Sequence, residues 1–239
     1  MKKIFNKLFI IILIVIGVCF YFYVSDYYKA DNSVYDIKSN VKIEQTSLGY
    51  LFDGDGKDNL VIFYPGAKVE EIAYASLMIK LAENGIDTYI VKMPFKLAIL
   101  GKNRALKVID EEKYDNYFMM GHSLGGAMAS EFISTGKGNI KGLILLASYS
   151  MKKIPDSVKV LSIYGSLDGV INMDNYNKYK SNIGSNLEEH VIDGANHAGF
   201  ANYGSQKKDN AATIKNSEQQ SITANYTINF IRGILNEKN

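Results

Sequence analysis

Gly121-His122-Ser123-Leu124-Gly125 sets a serine between two glycines, one two residues before it and one two residues after. A serine hydroxyl becomes a nucleophile when a sharp strand-to-helix turn lifts it out of a sheet and a base lies within reach. Such a turn crowds the backbone, and glycines at these two positions relieve the crowding. The flanks suit it: Tyr117-Phe118-Met119-Met120 is a short apolar strand run, and Gly125-Gly126-Ala127 opens a small-residue helix. A serine in an ordinary glycine-rich turn, holding phosphate at a helix N-terminus, is the plainer alternative. The strand–turn–helix setting favours the nucleophile, with Gly121, His122 and Gly125 shaping its turn.

A nucleophile needs a base, and the base needs an acid to orient it. Of the three histidines, His122, His190 and His197, only the last two follow Ser123. His190 falls in the alternating run Glu189-His190-Val191-Ile192, which suits a strand. His197 lies in Asp193-Gly194-Ala195-Asn196-His197-Ala198-Gly199, a flexible loop able to reach over a sheet edge, and is the candidate base. Asp168 follows the run Val160-Leu161-Ser162-Ile163-Tyr164 by a few residues, past a strand end where sites collect in open α/β sheets. It is the candidate acid, with Asp174 a competitor and Asp193 a weaker one. A turn or capping aspartate is the other reading of Asp168. The chain order Ser–Asp–His favours the acid.

Acyl chemistry also needs two N–H groups aimed at a developing oxyanion, and losing one typically costs about 10²–10³ in rate. One is expected from Leu124, after the nucleophile. The other is expected from Ala67, in the loop Pro65-Gly66-Ala67-Lys68 after the first core strand. Lys68 beside it is a candidate for neutralising a substrate carboxylate, set against a solvated lysine at a helix start.

The elements that must position these groups alternate in type. Leu60-Val61-Ile62-Phe63-Tyr64, Thr88-Tyr89-Ile90-Val91, Tyr117 to Met120, Leu143-Ile144-Leu145-Leu146, Val160 to Tyr164 and Glu189 to Ile192 read as strands. Between them Val69, Ile72, Ala73, Leu77 and Leu81 repeat at helical spacing up to a stop at Asn84-Gly85, 97–112 reads as mostly helical except at Gly101-Lys102-Asn103, and a helix begins at Gly125. Ala224, Ile228, Ile231 and Leu235 form a C-terminal helical stripe. Lys42 to Gln45 and Tyr50 to Asp53 look like a hairpin, followed by the turn-rich Gly54-Asp55-Gly56-Lys57-Asp58. Strands apolar on both faces and separated by helices indicate a mostly parallel sheet covered on both sides. Few residues separate the strands ending near Ser148 and beginning near Val158, so no cap domain fits there and an open, shallow site is expected.

Ahead of this domain, lysines 2, 3 and 7 precede an uncharged run from Leu8 to Val24. A helix there is long enough for a hydrocarbon core of about 30 Å. Bulky Tyr21, Phe22, Tyr23 and Val24 stand where a cleaved signal peptide has small residues, and they resemble an interfacial aromatic belt. Cys19 offers a lipoprotein reading, although Val18 before it is large. The expectation is a signal anchor over 1–25 with its N-terminus cytoplasmic, a tether over 26–40, and the catalytic domain over 41–239 outside the cell.

Composition narrows the classes. Hydrophobic residues make up 47% and charged residues 22%, an ordinary globular balance, and a net charge of +2 offers no basic excess for nucleic acid. The single cysteine, Cys19, excludes a disulfide framework, and three scattered histidines do not suggest a metal site. No cofactor or metal is expected.

Taken together, these motifs resemble the α/β-hydrolase superfamily over roughly 59–235, and more narrowly its fold-five group, related to dienelactone hydrolases. Tyr64-Pro65-Gly66-Ala67-Lys68-Val69, Ala73-Tyr74, residues 121–129 and 164–169, and Asn196-His197-Ala198 carry the likeness, with Asn202-Tyr203-Gly204-Ser205-Gln206 resembling the group's tail. Where the group tends to continue with a Gly-Asp step, this chain has Lys207-Lys208-Asp209. The resemblance implies the α/β-hydrolase fold, the Ser123–Asp168–His197 triad and carboxylesterase-like hydrolysis, without naming a substrate. Small esters and lipid or cell-wall esters at a membrane are the expected partners. A non-catalytic binding domain and an acyltransferase are the alternatives, and oligomeric state is left open.

Overall fold

The computed structural model describes residues 2–56 and 58–237. Lys57, in the expected turn, lies outside the described residues, as do Met1, Lys238 and Asn239. Along the chain run α1 (Lys2–Ser25), β1 (Lys42–Gln45), β2 (Gly49–Asp53), β3 (Asn59–Tyr64), α2 (Ala75–Ala82), β4 (Asp87–Val91), α3 (Arg104–Glu111) and β5 (Asn116–His122). There follow α4 (Leu124–Ile133), β6 (Ile140–Leu146), β7 (Lys159–Gly165), α5 (Met173–Tyr179), β8 (Leu187–Ile192) and α6 (Asn216–Asn236).

The strands form one eight-stranded sheet in the order β1-β2-β4-β3-β5-β6-β7-β8. β1 and β2 make the expected antiparallel hairpin, Lys42 opposite Asp53, and β2 joins β4 antiparallel. Every pairing from β4 through to β8 is parallel. Alternate side chains of β3 enter opposite layers. Val61 and Phe63 meet Leu77, Met78, Ile228 and Ile231 of α2 and α6, whereas Leu60 and Ile62 share a layer with Val108, Met128 and Phe132 of α3 and α4. Burial on both faces is why these strands read as unbroken apolar runs. It also places the strands' carboxyl ends, with the loops that follow, on one common edge.

Three stretches differ from expectation in detail. The helix read from Val69 starts as α2 only at Ala75, after a 3₁₀ turn at Glu71–Tyr74. Residues 97–112 are helical only from Arg104; before it the chain makes short 3₁₀ turns at Pro94–Lys96 and Ala98–Leu100. Gly101 passes so close to Met93 and Pro94 that an added Cβ would lie 2.8 Å from each, so the chain doubles back where a helix would run straight. In α6, Ile234 is buried more deeply than Leu235. As expected, residues 147–158 join β6 to β7 without a helix or strand, so no cap covers that edge.

The stretch expected as a tether lies against the domain at Tyr28 to Val34. Tyr28 bridges Val69 in parallel: its N–H donates to the Lys68 carbonyl (2.7 Å) and its carbonyl accepts from Glu70 N–H (2.9 Å). Ala30 N–H donates to the Glu70 carboxylate, Asp31 N–H to the Asn202 carbonyl, and Val34 is buried. Docking through main-chain bonds leaves no hydropathy pattern to read. α1 itself is long and apolar enough over Phe5–Ser25 to cross a membrane, and that stretch packs into no core.

Candidate active site

β5 ends at His122 and α4 starts at Leu124, so Ser123 alone makes the turn between them, at φ 52° and ψ −124°. A non-glycine residue held there stores about 1–3 kcal/mol of strain, sustained only by a frame that over-determines it. The frame is visible. Ser123 N–H donates to the Leu146 carbonyl (2.9 Å), and Ser148 Oγ donates to the Ser123 carbonyl (2.7 Å). A Cβ on Gly121 would lie 2.6 Å from the backbone of Gly125 and Gly126, and one on Gly125 would lie 2.1 Å from the Tyr64 carbonyl oxygen. The glycine spacing is therefore a steric demand of strand, turn and helix packed backbone to backbone.

Loops after β7 and β8 bring Asp168 and His197 together. His197 Nδ1 lies 2.8 Å from Asp168 Oδ2, and both side chains are 1% exposed. The other carboxylate oxygen, Oδ1, accepts the N–H groups of Val170 and Ile171, each at 2.8 Å. The carboxylate thereby accepts from Nδ1 and fixes the ring's orientation. Nε2 is buried and has no hydrogen-bond partner among the described residues. His197 and Ser123 both line a cavity of about 260 Å³, walled by Leu124, Ala127, Tyr149, Met151 and Ile171.

The family model for the alpha/beta hydrolase family matches residues 60–221. This chain belongs to the alpha/beta hydrolase family. Its fold is that of solved hydrolases. A CIB-like hydrolase from Thermoplasma acidophilum is 17% identical, with a TM-score of 0.61 over 80% of this chain and 100% of that one. Dienelactone hydrolase from Anabaena variabilis is 12% identical at a TM-score of 0.60, over 80% and 99%. Est1E from Butyrivibrio proteoclasticus, solved with ferulic acid bound, is 15% identical at 0.57, over 81% and 97%. No curated protein matches the sequence.

The other residues singled out in this hydrolase occupy distinct places. His190 is on the outer strand, bonded to Glu188 (2.7 Å) and stacked on Tyr226. Asp174 lies in the first turn of α5, and Asp193 accepts from Ser166 Oγ (3.0 Å). Gly66 N–H is taken by Tyr74 and Lys68 N–H by the Lys96 carbonyl; the Ala67 N–H between them meets no acceptor among the described residues. Leu124 opens α4, where first-turn N–H groups have no acceptor within the helix. The Lys68 ammonium pairs with Asp26 (3.0 Å) and sits over the Tyr23 ring, so it meets a carboxylate of this chain and does not line the cavity. Among the described residues no group of three or more His, Cys, Asp or Glu side chains is placed to hold a metal ion.

Two supporting groups of the hydrolase escaped the sequence reading. Tyr74 and His122 form a buried relay. His122 Nε2 must donate to the His197 carbonyl (3.1 Å), which leaves Nδ1 to accept from Tyr74 O–H (2.8 Å), whose oxygen in turn accepts from Gly66 N–H (3.1 Å). The relay links the loop after β3, the serine turn and the histidine loop. Burial first, then the nearby His197, holds the His122 pKa well below 6.5, so the ring stays neutral as the relay requires. Burial likewise raises the Tyr74 hydroxyl above its ordinary range and keeps it protonated.

Asp209 is the second group. Its carboxylate accepts from Gly169 N–H (3.0 Å), His197 N–H (3.2 Å) and Ala198 N–H (2.9 Å), clamping the Asp168 loop to the His197 loop. Lys208 before it adopts φ 72°, a conformation that favours glycine. The signal was therefore present: this chain replaces the glycine of the Gly-Asp step and keeps the aspartate.

Proposed function

We propose that this alpha/beta hydrolase is a membrane-anchored serine hydrolase that cleaves carboxylic esters through an acyl-enzyme. The observation that carries the reading is the buried, unpartnered His197 Nε2, on a ring oriented through Nδ1 by Asp168 and lining the same cavity as Ser123. A buried ring nitrogen without a partner is costly to a fold unless a reacting group uses it.

In this reading His197 Nε2 takes the Ser123 proton as Oγ bonds to the ester carbonyl carbon. The N–H groups of Ala67 and Leu124 receive the oxyanion. The carbonyl–alkoxy bond then breaks, and the alcohol leaves with the proton from His197. Water, deprotonated by the same nitrogen, adds to the acyl-enzyme carbonyl; the acid departs and Ser123 regains its proton. The uncapped edge favours small or surface-presented esters, and the small aromatic acid held by Est1E is in keeping with a modest acyl pocket. α1 is read as a span that stays attached, with its N-terminus cytoplasmic and the domain outside; a signal sequence would be equally apolar but would be removed.

Intact-mass analysis of the full chain after fluorophosphonate treatment tests this directly. One adduct is expected on the parent protein and none on Ser123→Ala. A folded parent protein that takes no adduct would overturn the hydrolase reading.

A further inference from the structure

α1 does not simply trail from the domain. Phe20, inside the apolar stretch, makes an edge-to-face contact with Phe95 at 5.2 Å between ring centres. Tyr23 lies under the Lys68 ammonium at 4.6 Å and Tyr27 under that of Lys96 at 4.5 Å. Phe20 is five residues before Ser25, about 7–8 Å inside the end of the helix at 1.5 Å per residue. A helix that crosses a bilayer in this pose carries Phe95 to the membrane surface.

Phe95 belongs to a wider surface of the same character. Phe95, Ile99, Leu100 and Met151 are each half exposed or more, although all follow strand ends at the edge that bears Ser123. Phe95 and Lys96 take left-handed backbone conformations, φ 51° and 55°, which are unfavourable for side chains of this size. The fold thus spends strain to present an aromatic ring to solvent. Ile99 and Leu100 also line a hollow of about 300 Å³ together with Lys102, Arg104 and Lys107, of which Lys102 pairs with Glu131 (3.1 Å). Lys152 and Lys153 are exposed beside Met151, which lines the Ser123 cavity. Exposed apolar side chains interleaved with cations match an anionic lipid surface, apolar groups entering the headgroup region and cations meeting phosphates.

We infer that this rim, from Phe95 to Leu100 with Met151 across the cavity, is a membrane-docking surface seated on the leaflet from which α1 emerges, so that the entrance to Ser123 opens at the lipid surface. Lys68, tied to α1 through Asp26 and Tyr23, directly follows Ala67, so the end of the span is fastened one residue from the proposed oxyanion donor. The inference rests on α1 being a span and deepens the proposed function: esters reach Ser123 from the membrane side.

The test uses the full chain in vesicles of three parts phosphatidylcholine to one part phosphatidylglycerol, a fraction of the lipid carrying a nitroxide near the headgroup. In a Cys19→Ser background, which removes the sole cysteine, Ile99→Cys or Leu100→Cys carries a fluorophore. Lys137→Cys, ahead of β6 at the opposite sheet edge, is the reference. Quenching at 99 and 100 several-fold above that at 137 is expected. Equal quenching at all three overturns the docking surface. Fluorophosphonate labelling of Ser123 in the same vesicles reads the hydrolase proposal separately. Quenching without labelling keeps the surface and removes the enzyme, and labelling without quenching does the reverse.

Discussion

His122 and His197 stand with ring centres 4.5 Å apart, each 1% exposed, and they differ in what their ring nitrogens meet. Both nitrogens of His122 are bonded, to Tyr74 and to the His197 carbonyl. His197 has one nitrogen held by Asp168 and the other left without a partner at a cavity wall. Equal burial thus serves two purposes. At His122 it hardens a frame, since a fully satisfied buried network is rigid and intolerant of change. At His197 it leaves one ring nitrogen without a protein partner, the nitrogen that the proposed reaction uses. The frame also carries the strain at Ser123, because the same relay joins the serine turn to the loop of Gly66 and Ala67.

The widest separation between the two histidines should appear in activity. His197→Ala is expected to lower ester turnover by about 10⁴-fold or more, as loss of a general base does, while thermal unfolding stays close to that of the parent. Turnover within tenfold of the parent would remove His197 as base. Unfolding at room temperature would show that it belongs to the frame and not to the chemistry.

Next comes a change on the frame side. Tyr74→Phe leaves Gly66 N–H without an acceptor and His122 Nδ1 without a donor, two buried groups orphaned together at roughly 1–3 kcal/mol each. A stability loss of about 2–6 kcal/mol is expected from chemical denaturation. Because Gly66 precedes Ala67, kcat should also fall, by about tenfold, with KM nearly unchanged, as when one transition-state contact is loosened. A variant as stable as the parent would mean that the relay is incidental.

Much of this division could be read from the residues alone, and the part that could not has a physical cause. The strands were legible because burial on both faces leaves continuous apolar runs such as Leu60 to Tyr64. Ser123 was legible because backbone contact at Gly121 and Gly125 admits only glycine. Asp168 and His197 were legible as loop residues following strands in a fixed order. Tyr74 was legible as part of the likeness but not as a bonded hydroxyl, since a tyrosine among apolar residues reads as core, and its hydroxyl's partners come from β5 and the loop after β3. His122 was legible as part of the turn but not as a bonded ring, because its acceptor is a main-chain carbonyl 75 residues on. Residues 28–34 dock through backbone groups that every sequence shares. The 3₁₀ turns before α3 were legible only as the exception at Gly101-Lys102-Asn103, because Leu97 to Glu112 otherwise has nearly helical apolar spacing.

The smallest expected effect is a slope in stability with pH. His122 is buried against Tyr74, His197 and Phe200, and its pKa in the folded chain lies well below 6.5, whereas in the unfolded chain it titrates normally. Above 6.5 both states are neutral at this ring and it contributes no slope. As pH falls through that value the unfolded state gains a proton that the folded state refuses, so stability declines by up to about 1.4 kcal/mol per pH unit until the lowered folded value is reached. His122→Gln replaces the ring with an amide that can still donate and accept but does not titrate. Denaturation curves between pH 7 and 5 should show the variant less stable than the parent at neutral pH and nearly level with it at the acid end. Parallel declines would mean that the unfolded state gains its protons elsewhere, and the neutral-ring account of the frame would fall with them.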